Sequence, residues 1–136
     1  MERLALKMKL AVLWLFVAVS MTAGSVIFFM VPGVMEEIME GAILGMQIGQ
    51  ELLLAMAVMY FWIPLVMAVL SLTLKDKVNR WANIILGIVY IGFVLVELIS
   101  NILTAAYPYA ILMSTSAFVV AALITSYAFK WPIQKA

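Results

Sequence analysis

Four long apolar runs, separated by short polar stretches, occupy nearly the whole chain. The first predicts a helix over 8–31, long enough at about 1.5 Å per residue to cross a hydrocarbon core of about 30 Å. Pro32-Gly33 stops it. Val34-Met35-Glu36-Glu37-Ile38-Met39-Glu40 then reads as a short amphipathic helix on the membrane surface, with Val34 and Ile38 toward lipid. The second run, 42–74, is too long for one straight span. Gly45, Gln47, Gly49, Gln50 and Glu51 make its start polar or small, so it is expected to begin in the interface, and Pro64 should kink it. The third and fourth helices are expected over 81–103 and 109–129. Every connection is short, so sequential helices should be antiparallel neighbours. The expectation is all-α: an integral membrane four-helix up-down bundle, one transmembrane domain over 1–136, with no internal repeat.

The charged positions orient that bundle. All 8 Lys and Arg lie outside the apolar runs and in three places: Arg3, Lys7 and Lys9; Lys75, Lys77 and Arg80; Lys130 and Lys135. The other two connections carry none. Alternation of basic and base-free loops is the positive-inside pattern, which puts both termini in the cytoplasm of a multi-pass cell-membrane protein. Trp81 and Trp131 flank the cytoplasmic side, and Tyr107 and Tyr109 the outer side, as interfacial aromatics do. Arg3 to Lys9 followed by Leu10 to Val19 imitates a signal peptide, with Ala18-Val19-Ser20 as a passable cleavage site. The apolar run continues through Val31, however, and reads as a retained first span.

Composition then limits the chemistry. The chain is 68% hydrophobic and 11% charged, with mean hydropathy +1.20, far above a soluble domain's apolar share. Membrane lipids are the expected surroundings. A net charge of +1 argues against a nucleic-acid partner. Cysteine and histidine are both absent, which removes thiolate and imidazole ligands together. No cofactor and no metal site are expected. Glu36, Glu37 and Glu40 offer oxygen ligands suited to a divalent cation, but without the remaining ligands at a recognised spacing they read as a solvated acidic rim. An enzyme acting on lipid would have to rest on carboxylates and tyrosines alone.

Three groups of residues ask for a reason. Gly41, Gly45 and Gly49 form a small-residue stripe if helical, which would let another backbone approach closely. That seam would serve packing within the chain, against the small faces of the first helix (Ala11, Ala18, Thr22, Ser25) or the fourth (Ser114, Ala117, Ala121, Ala128), or else a homodimer or larger complex. Trp62, beside Pro64, reads as a packing residue whose indole N–H wants a partner. Glu97 is the sharpest feature, because a carboxylate in an apolar span costs about 3 kcal/mol on insertion scales. Asn83, Gly87, Tyr90, Val94, Glu97 and Asn101 recur at alternating spacings of four and three, the period of an inward-facing seam.

Counted at helical rise, Glu97 lies about 25 Å above Arg80. Ser25, Tyr60, Ser114 and Ser116 fall at a similar level on the other spans, with Gln47, Gln50, Glu51 and Asn101 farther out. Two readings follow. A neutral Glu97 hydrogen-bonded to serine or tyrosine hydroxyls would fix helix packing. Alternatively Glu97, Asn101, Gln47, Gln50, Glu51 and Ser114 would line an outer-leaflet pocket for a small or lipidic ligand, bound or transported. A non-catalytic accessory or scaffold subunit, assembled through small-residue faces, is the alternative function.

Longer stretches of the chain are also familiar. Met8-Lys9-Leu10, Leu13-Trp14-Leu15-Phe16-Val17, Glu37-Ile38-Met39-Glu40-Gly41, Gly45-Met46-Gln47-Ile48-Gly49-Gln50, Ile63-Pro64, Asn79-Arg80-Trp81-Ala82-Asn83-Ile84-Ile85 and Lys130-Trp131-Pro132 resemble an uncharacterised prokaryotic family of small four-helix membrane proteins. The Asn-Arg-Trp-Ala-Asn-Ile block is its most specific part. The resemblance implies four transmembrane helices and no assigned activity. The chain departs from that family's pattern at Met21 to Gly24 and at Trp62, where relatives often carry an acid. Physically, Arg80 suits lipid phosphates, Trp81 anchors at the interface, and Asn79 or Asn83 can cap or bridge helices.

Overall fold

The computed structural model describes residues 2–104 and 107–131; Pro132 and Lys135 lie outside the described residues. Helix α1 spans Glu2–Phe29. It begins well before the expected position 8, because nothing between Glu2 and Met8 breaks a helix and the extra turns find partners. Arg3 and Lys7 both reach Asp76, each at 3.2 Å. Gly33, at φ 90°, turns the chain into α2 (Val34–Met39). Val34 is buried and Ile38 half-buried, which corrects their assignment to lipid. Helix α2 packs on the strand that follows it, where Ile43 is also buried.

The expected helix over 42–74 is replaced at its start by a hairpin. Strand β1 (Ala42–Ile43) pairs antiparallel with β2 (Met46–Gln47), in the register Ala42 to Gln47 and Ile43 to Met46. The two turn residues, Leu44 at φ 51° and Gly45 at φ 76°, are both left-handed. That is the requirement of a two-residue hairpin turn that matches strand twist. Gly41, at φ 91°, is left-handed as well. The glycine run is therefore not a helical stripe. A methyl group added at Gly41, Gly45 or Gly49 would meet no atom within 4 Å, so none of the three is a packing seam. The hairpin is tied back by Ile48 N–H donating to Gly41 O at 2.8 Å, and by Gly45 N–H donating to Glu37 Oε1 at 2.8 Å.

The second span proper begins at Gln50. It runs through α3 (Gln50–Ala57), a π-helical segment (Val58–Trp62) and α4 (Ile63–Thr73). After an extended Lys75, α5 covers Asp76–Leu103. It starts five residues before the expected Trp81, because Asp76 in its first turn complements the helix dipole. Helix α6 is Pro108–Phe129, with proline at its first position. Four helices, Arg3–Phe29, Gln50–Thr73, Asp76–Leu103 and Pro108–Phe129, are long and apolar enough to cross a membrane.

The bundle is closed around α5 and α6, its most extensive contact, and around α1, which packs on both α4 and α6. Ala11 and Ala18 of α1, and Ser114, Ala117, Ala121 and Ala128 of α6, are all buried. The small faces are thus used inside the chain, where they let helices approach closely. Gly87 makes the tightest approach, since a Cβ there would collide with Thr125 Oγ1. The core lies toward the basic end, with Leu10, Trp14, Val17, Met67, Ile124 and Trp131 at its centre. Trp131 is thereby corrected from an interfacial residue to a core one. The chain turns under the bundle after Phe129, Trp131 N–H donating to Ala128 O at 3.2 Å. Trp62, expected to pack, is instead 61% exposed on the outside of the second span.

Candidate functional site

Two polar regions stand out, at opposite ends of the bundle. At the basic end Asn79, Asn83 and Ser71 have no exposed surface. Trp14 Nε1–H donates to Asn83 Oδ1 at 2.7 Å, and Ser71 Oγ–H to the same oxygen at 3.4 Å. Asn83 Nδ2 donates to Asn79 O at 2.9 Å and to Asn79 Oδ1 at 2.8 Å, while Asn79 Nδ2 donates to Ser71 O at 2.7 Å. Both asparagine amides are engaged, and the hub joins α1, α4 and α5. A network this fully satisfied fixes structure and leaves no valence for a ligand. Asn79 and Asn83 bridge helices; Trp14 and Ser71, their partners, carried no sequence signal beyond their positions in apolar runs. Arg80 stacks on Trp81 at 5.3 Å and reaches Phe129 O at 3.4 Å.

Midway up the bundle, Pro64 governs the second span. Ile63 N–H donates to Val58 O, five residues back. In that register the next donor would be Pro64, which has no N–H, so Met59 O loses its partner within the helix. Tyr90 of α5 supplies it, its hydroxyl donating to Met59 O across the bundle. The kink expected at Pro64 is therefore a π-bulge whose freed carbonyl is bound by another span. Aromatic rings continue outward from this tie. Trp14, Tyr90, Phe93, Tyr60 and Phe61 follow one another with centroids 5.3, 6.3, 6.1 and 6.4 Å apart, mostly edge to face.

Beyond the tie the bundle opens. None of the residues of α3 is buried, and α3 makes no extensive contact with another span. The inward seam of α5 records this directly. Asn83, Gly87, Tyr90 and Val94 are buried, Asn101 is half-buried, and Glu97 is exposed. Glu97 thus sits on the inward face of its helix yet is uncovered, because the outer part of the second span stands away. One turn below it on the same face is Phe93, which packs edge to face with Tyr60 at 6.1 Å. Among the described residues Glu97 makes no hydrogen bond, and both ion pairs belong to Asp76 at the far end.

The other expected site residues do not join Glu97 in one pocket. Asn101 Nδ2 donates to Ser114 Oγ at 2.9 Å and to Ala110 O at 3.3 Å, locking α5 to α6. Gln47, Gln50 and Glu51 line a separate shallow depression with Met46, Gly49 and Leu52. The hydroxyls of Ser25 and Ser116 are taken by carbonyls of their own helices, Met21 O and Leu112 O. The expected polar layer therefore separates, because Ser25 and Ser116 satisfy themselves within their own helices and Ser114 is taken by Asn101. No group of three acidic side chains suited to a metal ion occurs among the described residues. Chemically, the outer part of the third span offers one exposed carboxylate, without a basic partner among the described residues, one turn above the Phe93–Tyr60 ring pair. Sequence reasoning found Glu97 and put Tyr60 at its level, but missed Phe93, which looked like an ordinary apolar position and packs on Tyr60.

These features define an all-α membrane protein whose spans close at the basic end and whose second span stands off at the acidic end. The chain belongs to a family of unknown function, DUF6326, whose model matches residues 3–131. Neither the comparison with curated proteins nor that with solved structures gave a match.

Proposed function

We propose that the protein binds a small, partly apolar ligand in the cleft between the second and third spans, with Glu97 as its polar contact. One observation carries this reading: Glu97 lies on an inward seam yet is exposed, because α3 stands off. An ionisable group inside a membrane is expensive, and such groups mark binding sites and ion paths more often than packing. A π-bulge beside the cleft adds support, since such bulges are frequent at functional sites. The scaffold alternative has less support, because the glycine run is a hairpin and the small residues Ala11, Ala18, Ser114, Ala117, Ala121 and Ala128 are buried within the chain, which leaves only Thr22 of those faces exposed.

We place the chain in the cytoplasmic membrane as one transmembrane unit surrounded by lipid, with both termini inside and the cleft opening outward. Because the chain has no cysteine, orientation is tested with single-cysteine variants. Glu40→Cys should react with a membrane-impermeant maleimide from outside intact cells, and Lys77→Cys only after lysis; the reverse pattern would invert the topology.

Binding is tested by native mass spectrometry of the full chain released from its own membranes. The expected result is a small-molecule adduct on the wild type and on Glu51→Gln, lost from Glu97→Gln. In parallel, the lipid-soluble reagent dicyclohexylcarbodiimide should label Glu97 in membranes. Absence of both adduct and label would show that the cleft is closed and overturn the reading.

A further inference from the structure

We propose that the cleft selects a hydrophobic cation, an ammonium-like charge carried on an apolar body. The inference rests on the cleft being a binding site and adds the chemical class of its ligand. Three features converge on that class. The first is charge. Glu97 has no basic partner among the described residues, and Arg3, Lys7, Lys9, Lys75, Lys77, Arg80 and Lys130 all lie in the turns and helix ends of the opposite end. A cation is the counterpart that a carboxylate in a low-dielectric setting lacks.

The second feature is the floor. Phe93 stands one helical turn below Glu97 and packs edge to face with Tyr60 at 6.1 Å. Tyr60 in turn meets Phe61 at 6.4 Å. Ring faces attract cations, and a desolvated site strengthens that attraction. The third is the way in. Helix α3 has no buried residue and no extensive contact with another span, and it exposes Leu53 and Leu54, so the second span leaves Glu97 uncovered and offers apolar surface. A small hydrated ion such as sodium needs a cage of several oxygens, and Glu97 is hydrogen-bonded to none of the hydroxyls of Ser25, Ser114 and Ser116, whose partners lie elsewhere. A bulky apolar cation needs no such oxygen cage.

The experiment uses the full chain in nanodiscs of zwitterionic phosphatidylcholine, so that no anionic lipid competes for the probe. Saturable binding is measured for tetraphenylphosphonium, for tetraphenylborate of matching shape and opposite charge, and for neutral triphenylmethanol. The wild type should bind the phosphonium and not the borate. Glu97→Gln should weaken that binding by about tenfold or more, with Glu97→Asp retaining part of it and Glu51→Gln all of it. Phe93→Leu should weaken it by about threefold to tenfold.

Equal phosphonium binding by wild type and Glu97→Gln would overturn the proposal. So would Glu97-dependent binding of triphenylmethanol without the phosphonium, an outcome that leaves the cleft reading standing. Binding of no probe, together with no carbodiimide label at Glu97, would remove both. Disulfide-linked dimers of Glu97→Cys in the same nanodiscs, with no phosphonium bound by the wild type, would show that a second copy covers the carboxylate and would also overturn it. If Glu97→Gln elutes as aggregate, Glu97→Asp against wild type decides.

Discussion

The two ends of the bundle solve the problem of polar groups in an apolar setting in opposite ways. At the basic end, Asn79, Asn83, Ser71 and Trp14 satisfy one another completely and draw three spans together. At the acidic end, Glu97 stands alone on the same seam of the same helix and the second span stands off. Both lie on one periodic face of α5, so periodicity is not the difference. Partner chemistry is. An amide donates and accepts, and can close a network with other amides, whereas a carboxylate needs donors or a cation that the facing spans do not provide. Pro64 sets the border between the two regimes, and Tyr90 seals it by binding the carbonyl that Pro64 frees.

The largest expected effect separates the two ends. Asn83→Leu orphans the indole of Trp14 and the amide of Asn79 in a buried setting, and should destabilise the fold by about 2–4 kcal/mol. Glu97→Leu should cost nothing, or stabilise by up to about 3 kcal/mol through the removed insertion penalty. Reversible unfolding in mixed micelles measures both; equal losses would erase the contrast. Next in size is Gly87→Ala, whose new methyl group meets Thr125 and should cost about 1–3 kcal/mol. Adding Thr125→Ala removes the clash with Oγ1 and leaves contacts near 3.3 Å, so the double variant should recover part of the loss.

Tyr90→Phe tests the border and should cost about 1 kcal/mol, near the usual value for an interhelical hydrogen bond in a membrane. In a Pro64→Ala background, where the helix can satisfy Met59 O itself, the same change should cost less. A double-mutant cycle reads that coupling, and strict additivity would disconnect Tyr90 from Pro64. The smallest effect belongs to the exposed ion pairs. Asp76→Asn releases Arg3 and Lys7 and should cost less than about 1 kcal/mol, a difference that fades in high salt.

Much of this molecule can be read along the chain. Four apolar runs, their separators and the loop charges suffice for an all-α protein with four helices long enough to span a membrane. Pro64 marks a break, and Glu97 marks the position that needs explaining. Those features depend on length, hydropathy and local backbone chemistry, which each segment carries within itself. The glycines show where this stops. Gly41, Gly45 and Gly49 fit a helical stripe by spacing, but the backbone torsions that make a hairpin are a choice between two conformations that glycine tolerates equally.

The candidate site shows the same limit more strongly. Asn101, Gln50 and Glu51 all fall by helical rise above the Glu97 layer, yet Asn101 pairs with Ser114 while Gln50 and Glu51 face a separate surface. Whether Glu97 is covered depends on the angle at which the second span leaves the bundle. That angle follows from Pro64, the π-bulge and Tyr90 acting across two spans, and from the absence of a tight partner for α3. Burial and pairing are properties of several helices at once. A linear pattern specifies which residues seek partners, but the packing geometry determines which of them meet.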